Sequence, residues 1–359
     1  MKIVIIWTNI PNYIAACINE LASMGCQLLV IQINSKDDSN NTFKFKGGFN
    51  INYINLSELN QVGNFGYLLN EITSFKPDFI LMSFNNRGVY YKLAKNCKKV
   101  GLSIVAACDS YFEGSIKQVI RIILSRFGFH KNYDAIFVPG FKGFEYAKLL
   151  NFKENKIIRG LYSCDDNIYR KTGIRRHEDS KSKWSEAFIF IGQLISRKGF
   201  DTLIEAYKLY RQQVEKPWEL WIIGSGPLVH LTETSEGIIY FNSLIAEECT
   251  QKLAMAGCFI LPSIIDHWGL VLHEATCAGL PIITTSSCGA SIELVQPFYN
   301  GIIIPHSDII ALTSAMKYIS NDSENAKKMG YNSLQLSNRY STKLWSEKVL
   351  TEIPLVLKM

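Results

Sequence analysis

Short runs of consecutive apolar residues, each followed by a polar turn and a segment of helical period, recur twice along this chain. Lys2–Trp7 (KIVIIW) is the first run; a polar turn at Thr8–Pro11 follows, then helix-spaced apolar positions to about Met24, then a second run, QLLVIQI. Continuous, β-branched runs of this length predict strands buried on both faces, and the segment between them predicts the crossover helix of a parallel pair. FKPDFILMSF, LSIVAAC and YDAIFVPG predict further strands, and VYYKLAKNCKKVG predicts a helix ending at Gly101.

The pattern restarts after a polar, charged stretch, RKTGIRRHEDSKSKWSE. Beyond it AFIFIGQL, WELWIIGSG, IIYFN, CFILPS and PIITT predict strands, while DTLIEAYKLYRQQ, AEECTQKLAMAG and GLVLHEATCAG predict helices. The expected fold class is α/β, with two doubly wound, Rossmann-like domains and a linker near 165–185. The expected boundaries are 1–168 and 169–338, with 339–359 a terminal helix crossing back to the first domain.

Composition narrows the class. A chain of 359 residues, 47% hydrophobic, has enough apolar material for two cores and is neither fibrous nor disordered. Met1–Trp7 is too brief for a leader or a membrane span, so the expected address is the cytoplasm, with peripheral contact at the inner face of the membrane as an extension of it. Nine cysteines without a CxxC pair, among them Cys26, Cys258 and Cys277 in apolar surroundings, fit reduced core thiols better than disulfides or zinc. The net charge of +6 is unevenly spread: residues 1–170 hold 20 Lys and Arg against 13 Asp and Glu, and the remainder holds 18 against 19. With no aromatic-basic recognition motif, this basic half points to phosphate or an anionic membrane surface rather than nucleic acid.

In doubly wound sheets ligands bind beyond the carboxyl ends of the strands. Five such places in the second half carry chemistry: Ser196-Arg197-Lys198-Gly199; Gly224-Ser225-Gly226-Pro227; Asn242-Ser243; Asp266-His267-Trp268-Gly269 leading into the helix of Glu274; and Ser286–Ala290 leading to Glu293. Arg197, Lys198 and the helix beginning near Gly269 suit a diphosphate, which needs cations and exposed N–H groups. Glu274 and Asp266 suit sugar hydroxyls, because an ionised carboxylate accepts from neighbouring O–H groups. Taken singly, each has a plainer reading: a solvated Arg-Lys pair, an ordinary glycine turn, an exposed helical Glu, an Asp capping the next helix.

GQLISRKGFDTLIEAY, IIGSGP, FILPSIIDHWGLVLHEATCAGLPIITT and GASIELVQPFYNGIII together resemble the C-terminal domain of the retaining family 4 glycosyltransferases, over roughly residues 185–350. The resemblance implies a GT-B fold, two Rossmann-like domains facing a central cleft. It also implies retaining transfer of a sugar from a UDP-, GDP- or ADP-sugar to a glycan or polyprenyl-linked acceptor, without a metal, in the synthesis of cell-surface polysaccharide or glycoconjugate. The family's acid, seven residues, then Glu stands here as Asp266 to Glu274, with Asp where Glu is usual. Carried over, Arg197 and Lys198 meet the diphosphate, Glu274 the ribose and Asp266 the transferred sugar; backbone of Gly269, Leu270 and Val271 lies near phosphate and sugar, and Gly224, Gly226 and Asn242 complete the donor loops.

The first half departs from that pattern. TNIPNY replaces the glycine pair common after the first strand, and Cys108-Asp109-Ser110 stands where a His is usual, making Asp109 the candidate catalytic group there, with a turn-capping Asp as the plainer reading. His130 reads as a surface residue, and Asp165-Asp166 as a linker turn rather than a metal motif. Segment 115–127 puts Ile116, Val119, Ile120, Ile123, Leu124 and Phe127 on one stripe flanked by Lys117, Arg121 and Arg126; it predicts either a core-packing helix or a contact with anionic lipid. A non-catalytic partner subunit and a phosphorylase- or epimerase-like enzyme are the rival functional classes.

Overall fold

A computed structural model describes residues 1–33, 51–56, 62–84, 88–178 and 184–359. The chain divides into two compact units, residues 1–163 with 342–359, and residues 164–341. In the first unit the order is β1 (Lys2–Thr8), α1 (Asn12–Ser23), β2 (Gln27–Ile33), β3 (Ile51–Leu56), α2 (Val62–Phe75), β4 (Phe79–Ser83), α3 (Gly88–Lys99), β5 (Ile104–Ala107), α4 (Ile116–Ser125), β6 (Ala135–Val138), α5 (Phe141–Leu149) and β7 (Ile157–Arg159). All seven strands are parallel, in the order β3-β2-β1-β4-β5-β6-β7. Ile3, Val4, Ile5 and Ile6 are all essentially inaccessible, the consequence of helices covering both faces of the sheet.

The second unit runs α6 (Asp166–Glu178), β8 (Ala187–Ile191), α7 (Phe200–Gln213), β9 (Glu219–Ile223), β10 (Ile238–Phe241), α8 (Ala246–Met255), β11 (Cys258–Leu261), α9 (Leu270–Cys277), β12 (Ile282–Thr285), α10 (Ser291–Leu294), β13 (Gly301–Ile304), α11 (Ile309–Asn321) and α12 (Ser323–Ser337). Its six parallel strands lie in the order β10-β9-β8-β11-β12-β13. The order reverses direction at β8, so the loops leaving β8 and β11 diverge there and leave room for a ligand. The chain then returns to the first unit as α13 (Thr342–Lys358), where Trp345 stacks on Phe137 and its Nε1 donates to the Leu161 carbonyl at 2.7 Å.

Three expectations change. The stretch read as a linker is largely helix: Asp166 opens α6 and is buried, as are Tyr169 and Gly173, while Asp165 lies just before that helix, close to where the two units divide; residues 179–183 of that stretch lie outside the described residues. Apolar content was the misleading signal, because α6 packs beside α8, α9 and α12 with few apolar side chains of its own. The second change concerns α4, which does not bury its apolar stripe. Ile116, Val119, Ile120, Ile123, Leu124 and Phe127 are exposed, Phe127 at 83%. The buried side chains are Gln118 and Ser125; Gln118 accepts from Glu113 N–H and donates to the Tyr111 carbonyl, and Ser125 donates to Ile122 O. His130 is part-buried rather than on the open surface, its Nδ1 against Ser125 O and its ring against Phe152.

Candidate functional site

Five loops gather at the carboxyl ends of the second unit's strands. After β8 a single 3-10 turn, Ser196–Lys198, presents Arg197 and Lys198, and Gly199 ends it. Arg197 is exposed, with its Nη1 3.3 Å from the Ile265 carbonyl, and its own carbonyl accepts from Ile264 N–H at 3.0 Å. Those bonds lash the β8 loop to the β11 loop. They bring Lys198 Nζ to 2.5 Å from Asp266 Oδ2, with Ser263 Oγ 3.5 Å from the same oxygen. Asp266 is therefore a nearly buried, paired carboxylate, not a helix cap.

The β11 loop is fixed from its other side as well. Gly289 N–H donates to Asp266 O and Ala290 N–H to Trp268 O, so the loop after β12 runs alongside it. Gly269 precedes α9 at φ 82, a left-handed conformation costly for other residues, and a Cβ there would lie 2.4 Å from Cys288 Sγ. Leu270 and Val271 form the first turn of α9, where backbone N–H groups lack partners within the helix.

Gly224 and Gly226 lie where the β9 loop crosses the β8 loop; a Cβ on Gly224 would stand 1.9 Å from Gly192 O, so only glycine lets the strands' ends approach. Leu194 N–H donates to Ser225 O at 2.9 Å across the same crossing. Asn242 Oδ1 accepts from Ser243 N–H at 2.8 Å, and Ser243 Oγ lies 3.1 Å from Ser225 Oγ, joining the β9 and β10 loops.

Glu274 sits in α9 and keeps partial exposure. The protein packed around it raises its pKa to about 7, offset in part by the His273 imidazole and by a hydrogen bond from the Tyr169 hydroxyl. Tyr169 comes from α6, the helix that the sequence did not reveal, so nothing in the residue pattern tied it to Glu274. Behind Glu274 lies a buried group the sequence also left scattered: Cys164, His273 and Cys277, with the two sulfurs 3.7 Å apart. The neighbouring Cys164 thiol and His273 hold the Cys277 thiol well below the ordinary range. The spacing of His273 and Cys277, four residues apart on one helix, was the available signal.

Asp109 belongs to the first unit, just beyond β5, where it is exposed. Its Oδ1 accepts from Ser110 Oγ at 3.3 Å, and it shares a hydrogen bond with Tyr162, whose ring meets Tyr13 edge-on at 5.2 Å. The other candidate residues belong to the second unit.

Residues 174–335 match the model of the family described as glycosyl transferases group 1. Over 156 residues the chain is 27% identical to a GDP-mannose-dependent alpha-(1-6)-phosphatidylinositol monomannoside mannosyltransferase of Mycobacterium tuberculosis, a stretch covering 40% of each chain. It is 23% identical over 211 residues to the capsular polysaccharide biosynthesis glycosyltransferase CapM of Staphylococcus aureus, 54% of each. The chain thus spans about half or less of the length of these curated relatives. Among solved structures it resembles Anabaena HepE in complex with UDP, at 14% identity with a TM-score of 0.76 over 99% of this chain and 100% of that one. Residues 174–335 thus match the glycosyl transferases group 1 family, and the chain has the GT-B fold of the solved glycosyltransferases.

Proposed function

We propose that this protein is a retaining glycosyltransferase that moves a hexosyl group from a nucleoside-diphosphate sugar to a hydroxyl of a glycan or lipid-linked acceptor, in the synthesis of cell-surface polysaccharide or glycoconjugate. The observation that carries the reading is the lashing of the Arg197-Lys198 turn to the Asp266 loop at the sheet's reversal point, one helix start away from Glu274. In this reading Arg197, Lys198 and the first turn of α9 at Leu270 and Val271 take up the charge that grows on the departing diphosphate; fixed donors of this kind typically contribute a few kcal/mol each. Glu274 accepts from the ribose hydroxyls, oriented by Tyr169, and the loops of Gly224, Gly226 and Asn242 line the nucleoside. Asp266 serves the transferred sugar, and Asp109 is the first unit's catalytic acid.

The relatives' names support a glycan or lipid acceptor, and the UDP bound to HepE supports a nucleotide donor. No helix among the described residues is long and apolar enough to cross a membrane. Contact with a lipid-borne acceptor therefore falls to a surface, and α4 supplies one: an exposed apolar stripe flanked by the exposed Lys117 and Arg126, which suits an anionic bilayer.

The test is transfer itself. Radiolabelled UDP-glucose, UDP-galactose, GDP-mannose and ADP-glucose are each incubated with the protein and polyprenyl-diphosphate glycans, and the anomeric configuration of the product is read by NMR. Incorporation from one donor with the donor's own configuration is expected. Release of free sugar alone, or an inverted product, would refute the proposal.

A further inference from the structure

Cys164, His273 and Cys277 are fully buried in the second unit, and one ligand atom from each lies within 4.8 Å of the others. The juxtaposition follows from local structure. His273 and Cys277 stand at i and i+4 of α9, which places both side chains on one face, and Cys164 comes against that face from the segment just before α6. The two sulfurs are 3.7 Å apart. Two thiolates about 2.3 Å from one tetrahedral zinc stand roughly 3.8 Å apart, so the pair already has the required separation.

The imidazole is oriented to match. Its Nε2 lies 3.1 Å from the Tyr340 carbonyl, which can only accept, so the ring proton belongs on Nε2. A metal-ligating histidine commonly donates its outer N–H to such a carbonyl. Nδ1 is then the acceptor nitrogen, and it lies on the Cys164 side, 3.3 Å from that residue's backbone N–H. That separation is at the long end for an N–H bond and competes weakly for the lone pair.

We propose that Cys164, His273 and Cys277 form a structural site for a borderline-soft metal ion, zinc foremost. Two sulfurs and one imidazole suit zinc and disfavour magnesium or calcium, which prefer oxygen. Among the described residues the group supplies three ligands, and a tetrahedral ion takes its fourth from outside that group. Full burial means that the ion enters as the unit folds, releasing the thiol protons, and anchors the helix that carries Glu274. The site stands apart from donor chemistry and survives or fails independently of the transferase reading.

The experiment is a metal count on the full-length, untagged protein purified without chelator from zinc-containing medium. Elemental mass spectrometry, with colorimetric release on denaturation, should find about one zinc per chain in the wild type and fewer than about one in ten in Cys164→Ser and Cys277→Ser. Cys249→Ser, outside the group, should retain it. Cobalt-grown protein should show thiolate-to-cobalt charge transfer that Cys277→Ser lacks. If the serine variants fail to fold, the wild-type count and the cobalt spectrum decide alone. A folded wild type free of metal that takes up neither zinc nor cobalt on refolding would overturn the proposal, as would a Cys164–Cys277 disulfide found in place of metal.

Discussion

Lys198 Nζ and Asp266 Oδ2 are 2.5 Å apart, and the two side chains are only 15% and 10% exposed. A cation assigned to phosphate and an acid assigned to sugar are thus partners of each other. Removing either leaves the other charge nearly buried. Lys198→Met and Asp266→Asn should each lower stability by about 1–3 kcal/mol. The double variant should lose less than the sum, while its nucleotide affinity stays poor. Urea denaturation across the four-protein cycle measures the coupling; losses that add to within about 0.5 kcal/mol would mean that the pair does not interact.

Glu274 supplies a pH dependence whose sign is fixed. Its pKa rises from 4.5 to about 7 in the folded protein, chiefly because burial disfavours the charged form. Between those values the folded chain holds a proton that the unfolded chain has released, so this group's contribution falls as pH rises through the window. Glu274→Gln should remove that slope: the variant gains on the wild type between pH 5 and pH 8 in chemical denaturation. Nucleoside diphosphate binding should move the opposite way, because ribose hydroxyls donate to the ionised form. Wild-type affinity relative to Glu274→Gln should therefore increase through about pH 7, and a constant ratio would remove Glu274 from the ribose.

Gly269 and Gly66 make a matched pair of alanine substitutions. Gly269 has φ 82 and a Cβ position 2.4 Å from Cys288 Sγ, whereas Gly66, exposed in α2, meets nothing within 4 Å. Gly269→Ala should cost about 1–3 kcal/mol and weaken nucleotide binding. Gly66→Ala should stabilise by about 0.4–1 kcal/mol through the unfolded chain. Differential scanning calorimetry compares the two, and equal effects would contradict the strained turn.

The exposed face of α4 predicts a lipid preference. Cosedimentation with vesicles containing phosphatidylglycerol should exceed that with neutral vesicles and decline from low to physiological salt. Phe127→Ser with Ile123→Ser should abolish it while leaving the fold unchanged, since neither side chain is buried. Equal binding to neutral vesicles would remove the electrostatic part of the argument.

Long apolar runs made much of both sheets legible. Strands such as KIVIIW and CFILPS are buried on both faces, so their hydrophobicity is continuous and unmistakable. β3 (INYINL) is interrupted by two asparagines at a sheet edge, β7 is three residues long and β13 follows a loop-like QPFYN, so none announced itself. Helix α6 hid for a different reason: DNIYRKTGIRRHE carries few apolar residues, and its burial rests on Asp166, Tyr169 and Gly173. The acid, glycine and basic positions of the candidate site were visible from their places after strands. Their pairings were not, because the Lys198–Asp266, Tyr169–Glu274 and Cys164–Cys277 contacts join positions 68, 105 and 113 residues apart. Nor could periodicity show which way α4 turns, since an amphipathic stripe fits a core or a bilayer equally well.

Isothermal titration calorimetry of UDP, GDP and ADP against the wild type and Arg197→Ala tests the central claim most directly. Arg197 is exposed and makes one long side-chain bond, so its loss should leave the fold intact. One nucleotide should bind the wild type clearly better than the other two, and Arg197→Ala should weaken it at least about tenfold, as expected for a lost charge-assisted bond to phosphate. Absence of heat with all three nucleotides, or equal affinity in the variant, would contradict a diphosphate site on these loops.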